Sequence, residues 1–199
     1  MVDRLVEYLR ARMPLSAQDE ALVRSLVRAR QVKKGETVQR AGEVATHAYF
    51  VTEGCLRSFS IDEEGREHVL QFAPENWWLA DSISMRDRTP TTFFIDALEA
   101  SEVVLLTAEG QARFLAEVPG YAAGYATGLL KMNSAREMRL LDSLSATAEQ
   151  RYLNFLERYP SIARRVPQHM LASYLGITPE TLSRLRGQLA RKKRVPGAG

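Results

Sequence analysis

An α+β fold is predicted, with a β-roll or jelly-roll domain first, a long helix next and an all-helical unit last. Three observations predict it. Between about residues 31 and 107, short apolar–polar alternations are punctuated by turns, the texture of an antiparallel barrel or sandwich. Residues 121–144, "YAAGYATGLLKMNSAREMRLLDSL", then run without proline and with an apolar stripe. Close to the C-terminus, "HMLASYLGITPETLSRLRGQLARKK" divides into two helical patches hinged at Gly176-Ile177-Thr178-Pro179.

The bulk properties agree with a globular cytoplasmic chain. Its 199 residues suit one large domain or two small ones. No apolar run approaches the roughly 18–20 residues that cross a bilayer, so no membrane partner is expected. The first residues, "MVDRLVEYLRARMP", mix charges with apolar side chains and lack the core of a secretion signal. A single cysteine, Cys55, leaves no intrachain disulfide, multi-cysteine zinc site or iron–sulfur cluster within the chain. The net charge of +3 hides a local excess: six basic residues and no acid between Arg184 and Arg194.

In chain order, Leu5, Tyr8, Leu9 and Met13 share a helical face before Pro14. Ser16 can cap a second helix, "AQDEALVRSLVRAR", with Leu22, Leu26 and Val27 inward. "HAYFVTEGCLRSFSIDEEGREHVLQF" alternates, turns at Asp62–Gly65 and alternates again, a hairpin signal. "TTFFIDALEASEVVLL" holds two more strands around Glu99–Ser101, and "AEGQARFLAEVP" is a short helix. The stripe Leu129, Leu130, Met132, Met138 and Leu141 exceeds what a small barrel needs for cover. A helix pair between two subunits explains it, although Arg136 and Arg139 interrupt the register. The other reading packs this helix on its own barrel. Ser145 or Thr147 can cap "AEQRYLNFLERYP". The resulting division is residues 1–118, 119–144 and 145–199.

The last unit is the most specific. Leu171 and Leu175 face one way, and Ala172 supplies the small side chain where two helices cross. Gly176 suits the left-handed position just past a helix end. Ile177 plugs the turn, Thr178 caps the next helix and Pro179 opens it, where no N–H is needed. Leu182, Leu185 and Leu189 then face inward. This is a helix-turn-helix pattern. Its outward face holds Glu180, Thr181, Ser183, Arg184, Gln188 and Arg191. Arg184 can pair with guanine and Glu180 can accept from cytosine, while Thr181 and Ser183 suit phosphate. Thr178 and Pro179 sit at the same helix start, with Pro179 able to touch a thymine methyl. A simpler possibility is that Glu180 and Arg184 form an i, i+4 surface ion pair. The expected partner is double-stranded DNA, bound by a homodimer whose two heads lie about 34 Å apart.

Barrel, long helix and helix-turn-helix, in that order, resemble the CRP–FNR family of bacterial transcription regulators from about residue 30 to 192. "VKKGETVQRAGE" and "AYFVTEGCLRSF" resemble its glycine-centred strands, and "ITPETLSRLR" the start of its recognition helix. The resemblance implies a sensor function for the barrel, base contacts at Pro179, Glu180 and Arg184, and RNA polymerase as a candidate contact. Three departures stand out. Pro179 falls where the family is usually basic, and "RKKRVPGAG" is too short for the usual β-hairpin wing. In the cassette that binds a cyclic phosphate, Leu79 and Ala80 replace Gly-Glu, and Thr91 and Thr92 replace Arg-Ser. Trp78, Arg86 and Arg88 lie beside this stretch, and either arginine is a candidate replacement counter-charge. Trp77 and Trp78 are read as barrel filling. The resemblance therefore predicts no cyclic AMP response by that chemistry. Cys55 and the scattered His47, His68 and His169 predict no haem or iron–sulfur cofactor and no catalytic metal, so no enzyme. The rival reading is a protein-interaction module whose helix-turn-helix does not read DNA.

Overall fold

The computed structural model describes residues 1–194, with side chains through Arg191. The chain opens with α1 (Val2–Arg10) and α2 (Ala17–Leu26). Ser16 caps α2 in a reciprocal box: its hydroxyl accepts from Asp19 N, and the Asp19 carboxylate accepts from Ser16 N. The helix predicted through Arg30 stops at Leu26, and "VRARQV" becomes strand β1 (Val27–Val32). The strand wins because Val27 and Val32 find partners far along the chain, Val27 opposite Leu106 and Val32 opposite Ser101. The strand region thus begins at Val27, before the expected residue 31. Inside α2 it is Val23 that is fully buried, while Leu22 and Leu26 are partly so.

Seven further strands follow: β2 (Thr37–Gln39), β3 (His47–Glu53), β4 (Leu56–Ile61), β5 (Glu67–Ala73), β6 (Trp78–Leu79), β7 (Phe94–Ala97) and β8 (Ser101–Thr107). The short helix α3 (Ser82–Asp87) lies between β6 and β7. Two four-stranded antiparallel sheets form, in the orders β1-β8-β3-β6 and β2-β7-β4-β5. Only β4 and β5 make the expected hairpin, closed at Asp62–Gly65 with Ile61 opposite Glu67. Every step from one strand to the next changes sheet except β4 to β5. Gly54 makes the corner between β3 and β4 at φ +90°, where a Cβ would lie 2.8 Å from Ala100 O. Tyr49, Val51, Leu56, Ile95 and Val103 fill the space between the sheets.

The outer face of the first sheet is covered by α1, α2, α4 (Ala108–Glu117) and the start of α5 (Tyr121–Ser145). Leu5, Phe50 and Phe114 are fully buried there. Beyond α5 come α6 (Ala148–Arg158), α7 (Gln168–Leu175) and α8 (Pro179–Arg194). Thr147 caps α6, accepting from Gln150 N at 3.2 Å. These last helices share a core with the second sheet: Val69 and Phe72 of β5 pack with Tyr152, Phe155, Leu171 and Leu175. β5 is an edge strand, and α7 lies on it. Ser173 Oγ accepts from Val69 N at 3.0 Å and donates to Glu67 O at 2.8 Å, pairing edge groups that a lone sheet leaves open.

Candidate nucleic-acid interface

The helical pair is built as its local sequence dictates. Leu171, Ala172, Leu175, Leu182 and Leu185 are buried. Gly176 adopts the left-handed conformation at φ 64°, and Ile177 N donates back to Ala172 O at 3.0 Å, closing the helix end. Thr178 Oγ1 accepts from Thr181 N at 3.2 Å, capping α8, and Pro179 is its first residue. Ile177 and Leu189 are partly buried against this core.

The opposite face of α8 meets solvent. Thr178, Pro179, Glu180, Ser183, Arg184, Gln188 and Arg191 are exposed, and Thr181 is half-buried with its hydroxyl bonded to Thr178 Oγ1 at 3.2 Å. Glu180 and Arg184 form no ion pair among the described residues, so the simple surface-pair reading does not describe them. Hydrogen bonding to its own backbone N–H and to the Thr178 hydroxyl holds the Glu180 carboxyl below the usual range, so it is an acceptor at neutral pH. The Lys192, Lys193 and Arg194 side chains, and the "VPGAG" on which the missing wing was judged, lie outside the described residues.

The second predicted cluster falls apart into separate environments. Leu79 and Thr91 are buried, Trp78 and Ala80 are half-buried, and Thr92 is exposed. Thr91 Oγ1 donates to Asp81 Oδ2 at 2.7 Å and accepts from Gln39 Nε2 at 3.2 Å. Asp81 Oδ1 accepts from Ser84 N at 3.0 Å, so this stretch closes on itself around a carboxylate. Arg86 pairs with its neighbour Asp87, and Arg88 with Glu109. Trp78 stacks obliquely on Phe50 within the helix-covered core, whereas Trp77 sits 5.6 Å from the Tyr159 ring, beside the last helices. Cys55 is buried, and burial pushes its thiol up to about 12.

Three arginines act where sequence reasoning had not placed them. Arg139 was read as an interruption of the apolar stripe, yet it turns inward. It donates to Leu70 O (2.6 Å), Val69 O (2.9 Å) and Tyr174 O (2.7 Å) and lies 3.9 Å over the Tyr174 ring. Burial pulls its pKa down. Arg165 clamps Glu75 at 2.8 Å through two N–H groups and also pairs with Glu99, tying the segment after α6 to the sheets. Arg57, almost fully buried on β4, forks onto Asp96 (2.8 and 2.9 Å) and reaches Glu67 (2.6 Å). For Arg57 and Arg139 the one sequence signal was an arginine within an apolar pattern; Arg165, beside Arg164, carried none.

A model of the cyclic nucleotide-binding domain matches residues 29–117. The probable transcriptional regulator flp of Lacticaseibacillus casei is 26% identical over 196 residues, covering 93% of this chain and 86% of its own. The transcriptional activator protein FnrA of Stutzerimonas stutzeri is 28% identical over 190 residues, covering 87% and 75%. FixK2 from Bradyrhizobium japonicum superposes with a TM-score of 0.68 at 21% identity, over 87% of this chain and 89% of that one. The c-di-GMP responsive global regulator CLP of Xanthomonas campestris gives 0.72 at 14% identity, over 92% and 96%. Over most of its length the chain is thus similar to transcription regulators, and its β-roll matches the cyclic nucleotide-binding domain. No helix among the described residues is long and apolar enough to cross a membrane.

Proposed function

We propose that the chain is a sequence-specific regulator that binds double-stranded DNA as a homodimer through α8, and that it does not respond to cyclic AMP. The observation that carries the reading is the free outward face of α8: Arg184 is exposed and without a carboxylate partner among the described residues, while the helix's inner face is locked. An α-helix fits the major groove, and an unpaired guanidinium there can bond guanine in two places. The similarity to transcriptional regulators and activators supports a regulator over a catalyst.

Dimerisation is supported by α5. Leu130, Leu141 and Leu144 lie on one face and are 70%, 55% and 76% exposed, an apolar stripe that a partner helix would cover. Cyclic AMP is disfavoured by chemistry: the residues in the cassette positions do not fit it. Leu79, Ala80, Thr91 and Thr92 offer no counter-charge, and Thr91 instead bonds the Asp81 carboxylate, which repels a phosphate.

The test is selection of sites from random DNA by the purified protein, with and without cyclic AMP. The expected result is a two-fold symmetric site, half-sites one helical turn apart, unchanged by the nucleotide. Affinity should fall with salt at a log–log slope of about −0.9 per phosphate contacted. Enrichment only with cyclic AMP overturns the sensor reading. No enrichment, with salt-independent retention on DNA, leaves the helix-turn-helix as a protein-docking unit.

A further inference from the structure

A cavity of about 360 Å³ lies where α5, α6 and α7 meet, and no residue of the β-roll cassette lines it. Four guanidinium groups line it, those of Arg136, Arg139, Arg151 and Arg158, against one carboxylate, Asp142. That carboxylate accepts from Asn154 Nδ2 at 3.1 Å, and none of the four arginines is ion-paired among the described residues. Arg139 is satisfied by backbone carbonyls. Arg151 is not: its Nη1 reaches only Ser143 O, at 3.4 Å, and its Nε is shut off from water with no acceptor. Enclosing an N–H of a cation without an acceptor is unfavourable, and buried polar groups in folded proteins are normally paired. The rest of the wall includes Leu140, Phe155, Tyr159 and Tyr174.

A concave site lined by both guanidinium groups and aromatic rings suits a particular kind of ligand. Arginine's planar fork matches phosphate oxygens two at a time, and a phosphate monoester brings up to two negative charges to a cluster that lacks them. The volume falls within the roughly 300–1,000 Å³ of small-molecule pockets. We propose that this cavity binds a phosphorylated small molecule of about mononucleotide size, its phosphate held by Arg136, Arg151 and Arg158 and its body against Tyr159 and Tyr174. The binding site stands independently of the DNA-reading proposal. Because Ser173, Tyr174 and Gly176 of the helix-turn-helix also line the cavity, an occupant bears on how that unit is held.

The test is calorimetric titration of the full chain with AMP, adenosine and inorganic phosphate as probes. AMP is expected to bind saturably at one site per chain, and adenosine at least ten-fold more weakly. The exposed pair Arg136→Ala/Arg158→Ala should weaken AMP at least ten-fold with an unchanged circular dichroism spectrum and thermal midpoint. Arg158→Lys, which keeps the charge but not the fork, should fall between the two. Equal binding of AMP and adenosine, or AMP binding unaltered in the double variant, overturns the proposal. So does loss of AMP binding on Arg86→Ala/Arg88→Ala instead, which would put the ligand in the β-roll. If the double variant flattens the salt dependence of DNA binding and AMP does not bind at all, the arginines are DNA-phosphate contacts and the proposal fails.

Discussion

Arg184 is exposed on α8 with no carboxylate partner among the described residues, and its proposed role as a base reader is testable at this one side chain. Arg184→Ala is expected to cost about 1–3 kcal/mol in specific binding and to relax preference at one base pair. Gel-shift titrations against singly substituted sites measure this, and unchanged penalties at every position remove it as a base reader. The outward placement of Arg184 was legible because the turn at Gly176, the Thr178 cap and the Pro179 start all lie close to it in the chain. Arg139 was not legible in the same way. Its partners Val69 and Leu70 are some 70 residues distant in the chain, and an arginine on a helix reads as solvent-facing until the edge of β5 is placed beside it.

At the scale of elements, α7 covers β5 and α5 leaves a stripe open. Ser173→Ala removes the acceptor of Val69 N and the donor to Glu67 O. Leaving a shielded strand N–H unpaired predicts a loss of about 1–3 kcal/mol, read from the urea unfolding midpoint. Leu144→Lys places a charge on the exposed stripe. It should convert a dimer to monomers in sedimentation velocity while leaving the monomer's fold intact, because Leu144 makes no core contact. A monomeric wild type would remove α5 as the interface. The long helix, the hairpin and the helix-turn-helix were readable from local periodicity and turn residues. The α2–β1 boundary was not, since "VRAR" fits either element locally and only pairing with β8 decides it. The assignment of β7 and β8 to opposite sheets was hidden for the same reason, as alternation marks strands but not their partners.

Across the whole molecule, the last helices are held to the sheets by an apolar core and by Arg165. Burial alone would raise the Glu75 carboxyl, but its bonds to Arg165 override this and hold it below its ordinary value of 4.5. A carboxylate depressed in the folded state contributes its stabilisation in full above that ordinary value and loses it as pH falls through the folded pKa. The clamp should therefore persist at neutral pH and weaken below about pH 4.5. Hydrogen exchange of the α6–α7 segment, with Trp77 emission beside Tyr159 as a second probe, should show an acid step in the wild type. In Arg165→Ala the segment should be loosened already at neutral pH, with that step much reduced. This contact between units was invisible in sequence because its charges, at positions 75, 99 and 165, have no local signature.

The cover that α7 provides for β5 has a consequence for any shortened version of the chain. Ending it after residue 145 would strip Val69, Phe72 and Cys55 of their apolar neighbours and return a row of strand N–H and C=O groups to water. Such an edge is a template for strands from other copies. The isolated N-terminal portion is thus expected to aggregate, so that the β-roll and the last helices are best studied in one piece.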